Sequence, residues 1–171
     1  MDNIVLIGMP GSGKSTVGVL LAKFLGYGFL DVDLVIQQRE GALLQDIIDT
    51  RGVDTFLDCE EAAVCSVNCT RHVIAPGGSA ILRERGAAHL KSLGSVVYLN
   101  VPLEELSHRI QNMSTRGIAM ESGQTLADVL ACRAPLYHQY ADLTIDCSGC
   151  QSLAQTAQVV LERLKEYQSG R

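Results

Sequence analysis

Short apolar segments of strand length recur along the chain and alternate with stretches whose apolar residues have helical spacing. The strand-like segments lie at about 3–8, 28–31, 72–75, 95–100 and 142–145. Helices are predicted near 14–25, 34–38, 43–49, 54–69, 82–92, 103–112, 125–139 and 152–167. Such alternation is typical of an α/β fold, because each helix returns the chain to begin another parallel strand. The pattern therefore predicts an α/β unit with a mainly parallel sheet.

Length and composition narrow the class of protein. The 171 residues, 47% of them hydrophobic, fit a single domain over 1–171 with a substantial core, and they leave no room for a second domain. A formal net charge of −5 argues against general affinity for nucleic acid or an anionic membrane. No apolar run approaches the ~20 residues of a membrane span, and we expect no leader because the N-terminus enters a strand directly. We expect a cytoplasmic monomer whose six cysteines are reduced.

The segment after the first apolar run contains a phosphate-binding motif. Residues 8–16 read GMPGSGKST and fit the pattern G-x-x-x-x-G-K-[ST]. Small residues let backbone N–H groups curl around a phosphate, and the following helix N-terminus adds a favourable dipole. Lys14 is placed to reach the β- and γ-phosphates, and Ser15 to hold Mg²⁺. The motif predicts a nucleoside triphosphate site formed by Gly11, Ser12, Gly13, Lys14, Ser15 and Thr16.

Two carboxylates, Asp31 and Asp33, follow the second strand-like segment. Ligands bind at this carboxyl edge in open α/β sheets. Residues two apart on an extended segment point to the same side, so both side chains can face one cleft. Asp31 is then directed toward Mg²⁺ and Asp33 toward an acceptor hydroxyl. The alternative for Asp33 is that it only caps the next helix.

The polar stretch from Gln111 to Gly123 is long enough to form a lid over a reaction site. A lid excludes water, which otherwise competes as phosphoryl acceptor. Arg116 within it suits the delivery of a cation to the transferring phosphoryl group. The alternative is an ordinary surface loop with a solvated arginine. Gly77 and Gly78 allow close approach of a small ligand, although a tight turn also explains them.

Several motifs together resemble one family. The segments GMPGSGKST, FLDVD at 29–33, IAPGGSAI at 74–81 and RAPLY at 133–137 have the order and spacing of the shikimate kinase family, and the similarity runs essentially end to end. The resemblance implies a three-layer P-loop NTPase fold with a five-stranded parallel sheet flanked by helices. It also implies a helical substrate-binding region at about 33–60 and a lid at about 112–123.

The resemblance also implies an activity, which is transfer of phosphate from ATP to a hydroxyl of shikimate, in aromatic amino-acid biosynthesis. Lys14, Ser15 and Asp31 then serve ATP and Mg²⁺. Asp33 orients or deprotonates the hydroxyl. The remaining implied site residues are Arg116 as the lid cation, Arg109 against the adenine, Arg133 on the substrate carboxylate, and Gly77, Gly78 and Ser79 beside the substrate.

The chain departs from the family pattern on the acceptor side. The family follows Gly-Glu-x-x-Phe with an arginine that clamps the carboxylate, and Leu57 stands at that position. Loss of a charge-assisted hydrogen bond worth about 1.5–3 kcal/mol weakens carboxylate binding roughly 10- to 100-fold. Ser79 replaces the third glycine of a Gly-Gly-Gly turn, and Gly117 replaces the proline after the lid arginine, which we expect to loosen the lid.

These departures leave more than one function open. One reading is a shikimate kinase; another is a kinase of this family acting on a different small hydroxy acid, such as gluconate, or on an amino-acid alcohol such as homoserine, whose ammonium group has no use for the missing arginine. A third reading is a nucleotide-binding regulatory module without turnover, which the presence of Asp33 and Arg116 argues against. An adenylate-kinase-like enzyme needs a larger arginine cluster than Arg39 and Arg51 supply in 33–60.

Cysteine spacing raises one further question. Cys147 and Cys150 form a CxxC, and Cys65 and Cys69 lie four apart on a predicted helix. Four thiolates can in principle bind zinc, and the CxxC can form a regulatory disulfide. The small residues of this CxxC also suit a turn between a strand and the last helix.

Overall fold

The computed structural model describes residues 3–110 and 117–170, and its elements alternate as the sequence pattern predicts. The strands are β1 (Asn3–Ile7), β2 (Gly28–Asp31), β3 (His72–Ala75), β4 (Gly94–Asn100) and β5 (Leu143–Asp146). The helices are α1 (Lys14–Leu25), α2 (Val32–Glu40), α3 (Leu44–Arg51), α4 (Val53–Cys65), α5 (Glu84–Leu93), α6 (Leu103–Ile110), α7 (Leu126–Tyr140) and α8 (Leu153–Ser169).

The strands form one sheet in the order β2-β3-β1-β4-β5, and each neighbouring pair is parallel. The expected five-stranded parallel sheet is therefore confirmed. All residues of the central strand β1 are buried, as a strand covered on both faces requires. Helix α1 packs against α8, and α5 packs against α4 and the central strands. Helices α2 and α3 pack on α4, in the region where the resemblance places substrate binding.

The observed boundaries differ from the sequence prediction at α2 and α4. Helix α2 begins at Val32 rather than 34, because the Asp31 side chain caps it by accepting a hydrogen bond from the Asp33 amide. Helix α4 ends at Cys65 rather than 69. There the Ser66 hydroxyl donates to the Ala63 carbonyl at 2.7 Å, and such side-chain bonds compete with continuation of a helix.

The CxxC segment forms a turn, in which the Cys150 amide donates to the Cys147 carbonyl at 3.0 Å. All six cysteines are free thiols. In residues 3–110 and 117–170, no cluster of three or more His, Cys, Asp or Glu side chains is arranged to hold a metal ion. Across the same described ranges, every helix falls short of the length and apolar character needed to cross a membrane.

Candidate active site

The phosphate-binding loop joins β1 to α1 and is closed by its own backbone, through a 3.1 Å bond from the Ser12 amide to the Met9 carbonyl. Gly13 has a φ of 93°, a left-handed conformation that favours glycine, and a Cβ there would lie 2.5 Å from Leu153 Cδ2. The first-turn amides of a helix have no intrahelical acceptor, and no side chain caps α1 to supply one. Amides of this kind, together with the helix dipole, fit a phosphate group.

Lys14 lies at the start of α1 with its ammonium group buried. It donates to the Gly8 and Met9 carbonyls, at 2.9 Å each, and to the Ser12 hydroxyl at 3.4 Å. Burial lowers the pKa of Lys14 to about 8, and the nearby Asp33 carboxylate partly opposes this shift. The side chain therefore remains mainly cationic at neutral pH. It is a cation held within the phosphate-binding loop.

Ser15 and Asp31 form a pair of oxygen donors beside the loop. The Ser15 hydroxyl donates to Asp31 Oδ2 at 2.8 Å, while Asp31 Oδ1 accepts from the Asp33 amide at 3.0 Å. Mg²⁺ beside nucleotide phosphates takes one or two protein oxygens and completes its shell with phosphate and water. A hydroxyl and a carboxylate at hydrogen-bonding distance fit that requirement.

The reasoning that placed Asp31 and Asp33 by strand alternation was wrong. Strand β2 ends at Asp31 and Val32 is already helical, so Asp33 lies in the first turn of α2. Of the two carboxylates, Asp31 is the one that caps the helix. Asp33 lies on the wall of the cavity described next.

A cavity of about 300 Å³ brings most of the predicted site residues together. Its P-loop half is lined by Pro10, Gly11 and residues 13–16 of the loop and by Arg109. Its acceptor half comprises Asp33, Phe56, Glu60, the turn 76–79 and Arg133. The predicted residues that line it are Gly11, Gly13, Lys14, Ser15, Thr16, Asp33, Gly77, Gly78, Ser79, Arg109 and Arg133.

Three predicted residues stand apart from this lining. Ser12 is buried behind the loop and accepts a hydrogen bond from Lys14. Asp31 reaches the site through its bond with Ser15. Arg116 lies outside the described residues, with the lid segment 111–116. The later part of the predicted lid is described, and Gly117, Ile118 and Ala119 line the cavity.

Arg109 extends from α6 to the P-loop half. Its Nη1 donates to the Gly11 carbonyl at 3.2 Å, and its Nη2 pairs with the Glu105 carboxylate one helical turn earlier. The guanidinium is thus fixed from two sides beside the phosphate-binding loop. It stays partly exposed.

Helix α7 supplies the other arginine of the site, Arg133, which is only 4% exposed. Its Nη2 donates to the Ala119 carbonyl at 2.5 Å, whereas its Nη1 is buried and has no hydrogen-bond partner in the part of the chain that the structure describes. One turn later, the buried Tyr137 hydroxyl donates to the Gly78 carbonyl at 2.6 Å. Tyr137 also stacks on Tyr98 with ring centroids 5.0 Å apart. Helix α7 therefore fixes both a cation and the turn opposite it.

Sequence reasoning missed Glu60, which is 1% exposed on α4. The Ser79 hydroxyl donates to Glu60 Oε2 at 2.6 Å, while Oε1 is buried and no described residue forms a hydrogen bond with it. Burial raises the pKa of Glu60 to about 7, and the bond from Ser79 partly offsets that effect. The sequence does contain a sign of this residue's importance, because Glu60 interrupts the apolar helix face formed by Phe56, Ala63 and Val64.

Leu57, where the family pattern has arginine, is buried within the hydrophobic core and does not line the cavity. Among the described residues of the acceptor half, Arg133 is therefore the one cationic side chain. Asp33 and Glu60 are both carboxyl groups. The acceptor half combines one cation with two acids.

Comparison with known proteins agrees with the geometry. A family model described as shikimate kinase matches residues 10–165. The shikimate kinase of Pseudomonas aeruginosa (strain LESB58) is 36% identical over 170 residues, which cover 97% of this chain and 98% of the relative. A shikimate kinase from Acinetobacter baumannii, solved in complex with shikimate, has a TM-score of 0.88 and 34% identity over 98% of this chain and 94% of its own.

A second kind of relative is much longer than this chain. Threonine synthase-like 1 from Pongo abelii is 36% identical over 172 residues, which cover 97% of this chain but 23% of that relative. The expected P-loop kinase fold is confirmed by the solved neighbours, and the expected use of ATP with Mg²⁺ by the family. The chain belongs to the shikimate kinase family and is a small-molecule kinase.

Proposed function

We propose that the chain transfers the γ-phosphoryl group of ATP to a hydroxyl of a small carboxylated metabolite. The observation that carries this proposal is a single cavity with the phosphate-binding loop on one side and Asp33 and Arg133 on the other. Shikimate is the first candidate acceptor, because a family member 34% identical to this chain has been solved in complex with it.

Asp33 is proposed to orient the acceptor hydroxyl or to accept its proton. It stands in the first turn of α2, and its Oδ1 would lie 3.0 Å from a Cβ built on Gly77, so the carboxylate faces the turn of the acceptor half. The negative charge of Asp33 partly opposes the lowering of the Lys14 pKa by burial, so Asp33 is near the cation of the P-loop half. This position in the cavity wall supports the proposal that Asp33 acts as the general base.

Lys14 and the first-turn amides of α1 are proposed to bind the β- and γ-phosphates, with Gly11, Ser12, Gly13 and Thr16 shaping the loop. Ser15 and Asp31 are proposed to supply protein oxygens to Mg²⁺, which, when bound, neutralises charge on the phosphates. Phosphoryl transfer depends mainly on positioning and on cations near the transferred group. Arg116 from the lid remains the proposed further cation, and Arg109 the residue beside the adenine.

Arg133 is proposed to bind the acceptor carboxylate. The guanidinium is buried, and its Nη1 forms no hydrogen bond with any of the described residues, so it can donate to a ligand. Gly77, Gly78 and Ser79 form the opposite wall. We also propose that the chain is a single-domain monomer, and light scattering tests that assignment.

A second candidate, an acceptor other than shikimate, is favoured by Leu57 and by the bond between Ser79 and Glu60. Leu57 is buried in the core and contributes no cation to the site. Ser79 directs its hydroxyl to Glu60 rather than into the acceptor space. The carboxylate-binding part of the acceptor half therefore rests on Arg133.

The test is ADP release with Mg·ATP, measured by a coupled assay with shikimate, L-homoserine, gluconate or no acceptor. We expect release that depends on at least one of these acceptors and saturates with its concentration. Binding of ATP without acceptor-dependent release across the panel would contradict the proposal and favour the regulatory module.

A further inference from the structure

Two buried polar atoms in the acceptor half, on side chains of opposite charge, have no hydrogen-bond partner among residues 3–110 and 117–170. They are Oε1 of Glu60, from α4, and Nη1 of Arg133, from α7. The two side chains are 1% and 4% exposed, and both line the cavity. Buried polar groups are usually paired, because an unpaired one loses its hydration without compensation.

The Glu60 carboxyl group is held in a fixed orientation. The Ser79 hydroxyl binds Oε2 at 2.6 Å, which leaves Oε1 turned toward Gly77. A Cβ built on Gly77 would lie 2.4 Å from Glu60 Oε1 and 3.0 Å from Asp33 Oδ1. Both carboxyl groups therefore converge on one point of the cavity wall, which is open because residue 77 has no side chain.

Arg133 is fixed in a comparable way. Its Nη2 is bound to the Ala119 carbonyl, so the guanidinium presents Nη1 as its unpaired donor. Arg133 and Glu60 are close enough for the arginine to lower the pKa of the carboxyl group, yet no ion pair joins them among the described residues. A donor and an acceptor thus remain separately available on two walls of one cavity.

The charge balance of the acceptor half bears on which ligand enters it. An acceptor with only a carboxylate brings negative charge toward Asp33 and Glu60, and Arg133 is the cation of the acceptor half that can pair with it. An acceptor that also has an ammonium group gives Glu60 an opposite charge, and charge-assisted hydrogen bonds are about twice as strong as neutral ones. Leu57 adds no second cation that would repel an ammonium group.

We propose that the acceptor is a zwitterionic amino acid with a side-chain hydroxyl, its ammonium bound by Glu60 Oε1 and its carboxylate by Arg133 Nη1. Asp33 then faces the hydroxyl, and the products are ADP and the O-phospho amino acid. The hydroxyl oxygen forms the new bond to phosphorus, the bond to the ADP oxygen breaks, and the hydroxyl proton passes to Asp33. This inference rests on the proposed kinase function.

The first test changes the ligand and leaves the protein intact. L-homoserine, L-serine and L-threonine are compared with shikimate and with 4-hydroxybutyrate, which keeps the carboxylate and hydroxyl of homoserine but lacks its ammonium. We expect turnover of at least one of the amino acids. If it is L-homoserine, its kcat/KM exceeds that of 4-hydroxybutyrate about 10- to 100-fold. If it is L-serine or L-threonine, the deaminated counterpart is 3-hydroxypropionate or 3-hydroxybutyrate, with the same expected difference.

The outcomes of this test separate the two proposals. Turnover of shikimate with none of the amino acids overturns the inference and leaves the kinase function standing. Equal kcat/KM for an amino acid and its deaminated counterpart also overturns the inference alone. Absence of turnover with every compound overturns both.

The second test substitutes the carboxyl group. Glu60→Gln retains an acceptor for the Ser79 hydroxyl but cannot carry charge, so we expect KM for the amino acid to rise about 10- to 100-fold while KM for Mg·ATP stays within about twofold. The control is Glu61→Gln, the adjacent glutamate of α4, which accepts from the Gly86 amide and does not line the cavity. An unchanged KM for the amino acid in Glu60→Gln overturns the inference.

A pH profile distinguishes charge recognition from a packing effect. Three charged groups act on the Glu60 carboxyl group: Lys14 on α1, Asp33 on α2 and Arg133 on α7. Ser79 in the turn donates a hydrogen bond to it. Because the pKa of Glu60 is about 7, KM for the amino acid should fall as pH rises through 7 in the wild-type chain and lose that dependence in Glu60→Gln. The same profile in both proteins counts against the inference.

Discussion

Residues 8–16 supply nearly all of the P-loop half of the cavity from one continuous segment, whereas the acceptor half draws on α2, α4, the turn 76–79 and α7. In the P-loop half, neighbours in sequence bind one another, as when Lys14 donates to Gly8 and Met9. In the acceptor half, contacts join residues far apart in sequence, such as Ser79 with Glu60 and Tyr137 with Gly78. A local motif therefore determines the first half, and tertiary packing determines the second.

The two halves also differ in how their buried charges are satisfied. The Lys14 ammonium has protein acceptors within the loop. Glu60 and Arg133 each retain a buried atom that has no hydrogen-bond partner among the described residues. The P-loop half thus satisfies its buried cation from within the loop, while the acceptor half keeps a buried donor and a buried acceptor that a ligand could pair with. ATP use depends mainly on the first half, and acceptor identity depends on the second.

The largest expected effect comes from the residue between the two halves. Asp33→Asn should lower kcat roughly 10²- to 10⁴-fold, because the amide cannot accept the hydroxyl proton. The affinity for Mg·ATP, measured by titration calorimetry, should stay within about threefold, since the P-loop half is unchanged. Asp49→Asn on α3 is a surface control outside the cavity. A kcat close to the wild-type value would remove Asp33 from the mechanism.

Loss of the cation in the P-loop half should be nearly as severe. Lys14→Ala removes a positive charge from the phosphate site, and we expect kcat to fall roughly 10²- to 10³-fold with any acceptor that is turned over. Weaker Mg·ATP binding should accompany it. Lys23→Ala, an exposed lysine in the last turn of α1, controls for loss of a surface charge. A loss confined to one acceptor would break the proposed division between the halves.

The effect of Leu57→Arg should be confined to the acceptor half. Leu57 is buried in the core but precedes Glu60 by three residues on α4, so we expect the longer side chain of an arginine there to extend toward the carboxyl group. A charge-assisted bond worth about 1.5–3 kcal/mol should raise kcat/KM for shikimate roughly 10- to 100-fold and lower it for a zwitterionic acceptor. Leu57→Met is the matched control for repacking. Unchanged kcat/KM ratios between acceptors, in a protein that still binds Mg·ATP normally, would contradict this assignment.

The smallest effect expected here is on stability and depends on pH. Glu60 has a pKa of about 7 against an ordinary 4.5, so the folded chain holds this proton more tightly than the unfolded chain does. Stability is therefore lost as pH rises from 4.5 through 7, by roughly 3 kcal/mol at 1.4 kcal/mol per pH unit. Glu60→Gln should raise Tm above pH 7 by several degrees, with a smaller gain near pH 5.

Calorimetric unfolding of the wild-type chain, Glu60→Gln and Glu61→Gln across this pH range checks that expectation. Glu61 is half-buried outside the cavity, and its substitution should shift Tm equally at all pH values. An equal shift for Glu60→Gln would show that its carboxyl group is already ionised at pH 5 in the folded chain.

The sequence was sufficient for the fold and for the P-loop half because their determinants are local. Apolar runs and glycine positions were enough to predict β1, the phosphate-binding loop and α1. The predicted stop at Gly26 is confirmed, because Gly26 ends α1 in a left-handed conformation. Helix–strand alternation was enough to predict the parallel sheet. These features do not depend on which distant residues pack against them.

The acceptor half could be predicted only in part because its geometry is set by long-range contacts. Asp33 is helical because Asp31 caps α2 and ends the strand before it. The alternation of residues along a strand does not reveal where the strand gives way to the helix. Glu60 was overlooked because its importance arises from burial beside Ser79, nineteen residues away in sequence. Arg133 could be identified from the motif at 133–137, but its unpaired Nη1 is visible only in three dimensions.

The most direct test of the central claim, that both reactants meet in this one cavity, is transfer of label from γ-labelled ATP to an acceptor. The chain is incubated with Mg·ATP and, separately, with each hydroxy amino acid or with shikimate, and the products are separated by chromatography. The account predicts label on the acceptor hydroxyl in the wild-type chain and its loss in Asp33→Asn. Label found only in ATP and inorganic phosphate, whichever acceptor is present, would contradict it.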